Sequence, residues 1–268
     1  MNASSNLPAF RSRLSIVFSV ILAFSLIGVI SVLAIIFCLF LIPWRTHRIR
    51  LGNYYGKIVG SIVFILAGIR PVIRDKTGLS DDVMDGKKRI NSIGPALVVC
   101  NHCSTIDMWV GMWLNPIGGC GVAKKEIMKI PFFGFIYWLT GHLLLDRSNL
   151  QKSIESMAEV GEFVRKNKLG IWMWPEGSRS RNGQIKVFKK GFVHMALATK
   201  LPILPIITHD ADLMWPRDSF KIRSGVMEME VLPLIDTSHW RAENAAEHAA
   251  EVRAVLRAAL RERQRGES

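Results

Sequence analysis

His102 and Asp107 lie in the polar stretch Asn101-His102-Cys103-Ser104-Thr105-Ile106-Asp107, between an apolar run that ends at Cys100 and another from Met108 to Leu114. An imidazole can exchange a proton near neutral pH, and a carboxylate on its second ring nitrogen would orient it. Five steps along one helix place two side chains about 140° apart, so the pair can meet only if His102 precedes the helix. The run Pro95 to Cys100 reads as a buried strand and Met108 to Leu114 as a helix, which puts His102 in the turn between them. A plainer role fits the same spacing. Ser104 would be the N-cap of a helix starting near it, Asp107 would fall at its third position, and His102 would be a turn residue. The residues leave both readings open.

Cations recur at the ends of other apolar runs. In Trp174-Pro175-Glu176-Gly177-Ser178-Arg179-Ser180-Arg181, Pro175 stops a strand, Gly177 frees the backbone and Arg179 offers a planar donor fork to a phosphate. Glu176 reads as a residue that orients this loop, and Arg181 as its solvated tip. Gly141-His142-Leu143-Leu144-Leu145-Asp146-Arg147 repeats the layout, and Lys124 follows Val122-Ala123. Alone, Arg147 reads equally well as a salt-bridge partner. With Lys124, Arg147 and Arg179 at the ends of neighbouring strands, a phosphate clamp would stand beside His102. The proline-bracketed run through Pro205 suggests an apolar wall, and Asn101 and Ser104 would shape the turn.

The chain has 35 Lys and Arg against 22 Asp and Glu, a formal charge of +13. Such an excess suits nucleic acid, an anionic membrane surface or a negatively charged substrate. Here the basic residues are scattered over strand ends, apolar-segment flanks and the final helix, with no stripe or aromatic platform, which excludes nucleic acid as a partner. Cys100-x-x-Cys103 beside His102 invites a metal reading, but further zinc ligands at suitable spacing are missing from the sequence. Reduced cysteines with structural roles are expected.

The segments that must carry these residues alternate. Strands are expected near 95–100, 119–123, 143–145, 171–174 and 203–207, with an edge strand at 226–232. Helices are expected near 104–114, 125–138 with a break at Pro131, 150–166, 188–199 and 240–261; residues 74–94 read as irregular or as a poor strand pair. This is an α/β layered sheet with flanking helices. Ahead of it, Leu14 to Ile42 contains no charged residue; as a helix it would span about 43 Å against roughly 30 Å of hydrocarbon. A second apolar segment, Ile58 to Ile69, is short for a crossing and suits a half-inserted helix. Two domains are expected, a membrane-embedded two-helix motif at 1–70 and the α/β domain at 71–268. The basic cluster Arg45, His47, Arg48 and Arg50 would face the cytoplasm and contact headgroups, with Lys57 and Arg70 reaching phosphates at the ends of the second segment.

Asn101-His102-x-Ser104-x-x-Asp107, Gly141 to Arg147, Trp174 to Arg179 and Ile203-Leu204-Pro205-Ile206 together resemble, in order, the four motifs of the membrane-bound glycerolipid acyltransferases, in particular their bacterial lysophosphatidate-acylating members. The Lys124-Lys125 and Phe188-Lys189-Lys190-Gly191 segments follow the same family. Trp174 stands where that family usually has Phe, and Ser178 where it has Thr. The resemblance implies a glycerol-3-phosphate acyltransferase-like sheet behind a two-helix membrane motif embedded from one side. It also implies transfer of a fatty acyl chain from acyl-CoA or acyl-carrier protein to the sn-2 hydroxyl of lysophosphatidate, giving phosphatidate. His102 and Asp107 would form the general base, Arg179, Arg147 and Lys124 would hold the phosphate, and backbone donors near Gly177 would face the oxyanion. No cofactor is expected beyond the acyl donor as co-substrate, and the place of work would be the cytoplasmic face of a bacterial inner membrane. Acylation of another lyso-lipid or of glycerol 3-phosphate is the neighbouring alternative. A non-catalytic membrane scaffold is the alternative from a different class.

Overall fold

The computed structural model describes residues 13–78, 86–129, 133–146 and 150–265. Two helices open the chain, α1 (Arg13–Phe40) and α2 (Arg45–Ala67), joined by a short turn before Trp44. They form a hairpin, tied midway by a 2.7 Å hydrogen bond between the Ser31 and Tyr55 hydroxyls. Gly68, at φ +65°, ends α2 in the left-handed conformation, which costs glycine little. Strand β1 (Ile69–Asp75) follows at once, so the boundary expected at 70/71 falls inside a strand.

The chain then alternates as α3 (Gly86–Ser92), β2 (Leu97–Cys100), α4 (Asp107–Leu114), β3 (Gly119–Lys124), a 3-10 turn (Lys125–Lys129), α5 (Phe133–Leu139), β4 (Leu143–Leu145), α6 (Leu150–Asn167), β5 (Gly170–Met173), α7 (Gly191–Thr199), β6 (Ile203–Thr208), α8 (Ala211–Met214), β7 (Gly225–Val231), α9 (Ala245–Ala259) and α10 (Glu262–Arg265). The strands form one mixed sheet in the order β1-β7-β6-β2-β5-β3-β4. Only the β6–β7 pairing is antiparallel. Strands β2, β5, β3 and β4 are therefore neighbours pointing one way, and their carboxyl ends share one edge. In an open α/β sheet that edge is where ligands bind.

The strand and helix alternation is as expected, with three corrections. Residues 69–75 and 86–92 are a strand and a helix, where irregular chain was expected from 74 on. Strand β7 is not an edge, because β1 covers it in register from Ile69↔Gly225 to Asp75↔Val231. Helix α4 begins at Asp107, which is its first residue and not its third.

One face of the sheet packs under α6, α7 and α9 through Leu97, Ile171, Val164, Phe192, Ala196, Val252 and Leu256. The other packs Val98, Cys100 and Ile206 against α4 and the end of α2, through Val110, Leu114 and Phe64. All four cysteines are free and buried.

Among the described residues no helix is long and apolar enough to cross a membrane, so the crossing expected of residues 14–42 is not supported. Two of the cations expected at headgroups, Arg45 and Arg48, are engaged elsewhere. Arg48 donates to the Leu139 carbonyl at 2.7 Å, at the open carboxyl end of α5, and Arg45 to the Gly141 and His142 carbonyls in the turn that follows it. The hairpin is thereby fastened to the α/β domain.

Candidate active site

The stretch 101–107 does leave β2 as a turn and enter α4. Asp107, 1% exposed, aims one oxygen back along it. That Oδ2 takes the Cys103 N–H at 2.7 Å and the Ser104 N–H at 2.8 Å, and lies 2.8 Å from His102 Nδ1. Ser104 Oγ in return accepts the Ile106 N–H at 3.1 Å. The N-cap of α4 is Ile106, without a side-chain cap, so the expected Ser104 cap is not formed; Asp107 instead ties the turn ahead of the helix to the imidazole. With Asp107 ionised, Nδ1 carries the ring proton and Nε2 is left as the acceptor.

The backbone of His102 is clamped from the other side. Glu176, 2% exposed, accepts the His102 N–H at 2.7 Å on Oε1 and the Lys186 N–H at 3.1 Å on Oε2. The His102 carbonyl takes the Ser180 N–H at 2.8 Å. Burial raises the Glu176 carboxyl to about 7, against the opposing pull of those two N–H groups. Glu176 therefore joins the loop after β5 to the turn after β2. Asn101 does the same for β6, exchanging bonds with the Thr208 backbone at 2.8 and 3.0 Å. Ser104 Oγ donates to the Trp215 carbonyl at 2.6 Å, which brings residues 215–218 over the turn.

Trp174 stacks on His102, ring centroids 4.8 Å apart and planes 22° apart. Gly111 makes room for it, since a Cβ there would lie 2.9 Å from the indole. A cavity of about 240 Å³ opens beside the histidine, walled by Val122, Ala123, Trp172, Trp174 and Phe192, with Gly177 and Lys189 also lining it. Gly177 has φ +70°, and its N–H is taken by the Trp174 carbonyl, so it is no free oxyanion donor. A Cβ on Gly177 would lie 2.9 Å from Lys189 Nζ, which places a cation where the backbone donor had been expected.

Arg179 lies close to the His102 turn: it donates to Thr105 Oγ1 at 2.9 Å and to Asp218 Oδ1 at 3.1 Å. Arg217 holds the same carboxylate at 2.7 Å and the Arg179 carbonyl at 3.0 Å. The backbone of Lys124 ends β3 opposite Leu145, on the shared edge. The Lys124 side chain and all of Arg147 lie outside the described residues. Pro205 pairs with Val99 inside the sheet and is absent from the cavity wall. His142 is half-buried, accepts the Gly121 N–H, is lowered to about 4 by burial, and does not line the cavity beside His102. Among the described residues no group of His, Cys, Asp and Glu is placed to hold a metal ion.

Comparison with known proteins agrees with this layout. The family model described as Acyltransferase matches residues 83–209, which include the His102 turn, the Glu176 loop and β6. The 1-acyl-sn-glycerol-3-phosphate acyltransferase of Limnanthes douglasii is 38% identical over 84% of this chain and 76% of its own. Its Escherichia coli counterpart is 30% identical over 86% and 84%. The crystal structure of the 1-acyl-sn-glycerophosphate acyltransferase PlsC from Thermotoga maritima superimposes with a TM-score of 0.66 at 21% identity, over 91% of this chain and 92% of that one, and shows the same fold. With the histidine, its carboxylate and the cavity inside the residues that the family model matches, and with relatives of this identity and coverage, the chain belongs to the acyltransferase family and is an enzyme of it.

Proposed function

We propose that the protein transfers a fatty acyl chain from acyl-CoA or acyl-carrier protein to the sn-2 hydroxyl of 1-acyl-glycerol 3-phosphate, giving phosphatidate. The observation that carries this reading is the His102–Asp107 pair at 2.8 Å, fixed in a strand-end turn and open to an apolar cavity. His102 Nε2 takes the hydroxyl proton as that oxygen attacks the thioester carbonyl carbon. Asp107 stabilises the imidazolium that forms. The tetrahedral intermediate collapses, the C–S bond breaks, and the imidazolium returns its proton to the departing thiolate. No covalent acyl-enzyme is required, because the acceptor supplies the nucleophile. Ser104 is also poorly placed to be one, since its hydroxyl is held by Trp215 and Ile106. The positive charge of Lys189 faces the side of the cavity where the carbonyl oxygen becomes negative.

Arg179, aided in this proposal by Lys124 and Arg147, holds the acceptor phosphate. The names of the relatives favour lysophosphatidate over other lyso-lipids. No cofactor enters this scheme; the donor is a co-substrate. A purified preparation offered lysophosphatidate, other lyso-lipids and glycerol 3-phosphate, with each donor type, tests it by product mass. Phosphatidate should dominate with at least one donor, and acyl transfer only to a different acceptor would contradict the assignment.

The helix hairpin supplies the membrane contact in the same proposal. Leu14, Phe18, Ile21, Val29, Phe37 and Phe40 of α1 are exposed, a larger apolar face than a water-facing helix normally carries. It would rest in one leaflet of a bacterial inner membrane, with the α/β domain on the cytoplasmic side. Val29→Asp with Phe37→Asp should weaken binding to phospholipid vesicles; unchanged binding would refute this placement.

A further inference from the structure

A second cavity, larger than the one beside His102, lies elsewhere among the described residues. It measures about 460 Å³ and opens at the amino ends of β2, β3 and β5, where Pro95, Gly119 and Gly170 line it. Since these strands are parallel, it lies at the opposite edge of the sheet from His102 and Arg179. Three lysines from three separate elements converge there: Lys57 from α2, Lys87 from α3, and Lys168 from the turn between α6 and β5. Among the described residues no carboxylate lines it.

Lys57 is the telling residue. Its Nζ is buried and, among the described residues, has no hydrogen-bond partner. A buried ammonium without a counter-charge is costly, and a fold that keeps one beside an open cavity has left room for an anion. Burial, with the nearby Lys87 charge as the smaller cause, lowers Lys57 to about 8, as expected of a cation awaiting a partner. The seat is also firm. Asn53, one helical turn before Lys57, accepts the Gly118 N–H at 2.7 Å and donates to the Gly119 carbonyl at 2.8 Å. Lys87 Nζ sits 3.9 Å over the Trp113 ring.

We propose that this cavity is a second anion site, independent of the reaction centre, that takes a phosphate group with Lys57 as its buried contact and Lys87 and Lys168 around it. A phosphomonoester dianion matches several ammonium groups better than a single carboxylate does, and the volume admits the organic group attached to it. The source is either free phosphate or the headgroup of a phosphomonoester lipid.

The test is titration of inorganic phosphate into the full-length protein carrying Arg179→Ala, which silences the proposed acceptor site, followed by calorimetry. Saturable binding is expected, weakened by about tenfold or more on adding Lys57→Met. Should that variant fold poorly, Lys168→Met, in an exposed turn, should weaken binding measurably by itself. Absence of saturable binding in R179A protein, or equal binding by the variants with the lysines changed, would overturn the proposal. Phosphatidylcholine vesicles doped with phosphatidate separate the sources. Displacement of bound phosphate by them assigns the site to a lipid headgroup, and persistence of binding in their presence assigns it to free phosphate.

Discussion

Replacing Asp107 by Asn is the sharpest perturbation of the His102 turn. Three groups converge on Oδ2, whereas Oδ1 is buried without a partner among the described residues. An asparagine can put its carbonyl oxygen in the Oδ2 place and its amide in the vacant one, so that no donor faces another donor. The fold should therefore survive. Each bond loses its charge assistance, about 1 kcal/mol apiece, so roughly 3 kcal/mol over three bonds before allowance for no longer burying a charge. A net loss of about 1–2 kcal/mol corresponds to a fall in Tm of a few degrees for a chain of this size. Turnover should fall much further, by about 10²- to 10⁴-fold, because the imidazolium loses its counter-charge. A thermal melt beside steady-state kinetics reads both. The decisive comparison is the double variant H102A/D107N. If Asp107 acts through His102, it should be no slower than H102A alone. Additive losses, or a D107N enzyme within tenfold of the native rate, would refute the reasoning and leave Asp107 as a residue that only holds the turn.

Glu176→Gln removes a carboxyl held near 7 in the fold against an ordinary value of 4.5. A raised folded value means stability that is complete below about 4.5 and lost as pH rises through about 7, at most roughly 3 kcal/mol. The native protein should therefore lose stability over that window in pH-dependent denaturant melts, and E176Q should show a flatter profile; identical profiles would exclude Glu176 as the titrating group. Arg179→Ala should raise KM for lysophosphatidate far more than for the acyl donor, and Arg179→Lys should be impaired too because the fork is lost. Equal effects on monoester and diester acceptors would remove Arg179 from the phosphate. Gly111→Ala would push a Cβ to 2.9 Å from Trp174 and displace the indole from His102. The cost should be about 1–3 kcal/mol of stability with a fall in kcat, and adding Trp174→Phe should recover part of both; if it recovers neither, the indole is not what Gly111 accommodates.

The sequence was most legible where a strand is buried on both faces. Strands β2, β5 and β6 are continuous apolar runs near the middle of the sheet, and their ends carry the residues singled out for chemistry. Strand β1 was missed because Ile69-Arg70-Pro71-Val72-Ile73-Arg74-Asp75 has the mixed character of an edge, and with it went the true position of β7. The long apolar segment was read as a crossing from hydropathy alone. What hydropathy cannot show is that Arg45 and Arg48 bond to carbonyls at and just beyond the end of α5, more than 90 residues further along. Within the site, the His102–Asp107 pair is local and could be read, as could Glu176 as an orienting residue. Arg217 and Asp218 had no signal, since they reach Arg179 across almost 40 residues. Lys189 was visible only as part of a familiar segment; its place against Gly177 comes from the fold.

The central claim is that His102 is the base that deprotonates the acceptor. It is tested most directly by the turnover of purified His102→Ala protein with lysophosphatidate and an acyl donor, measured as phosphatidate formed, in a preparation whose thermal melt matches the native one. A loss of about 10²-fold or more, with KM for lysophosphatidate little changed, is the expected result. Near-native turnover by the folded variant would contradict it.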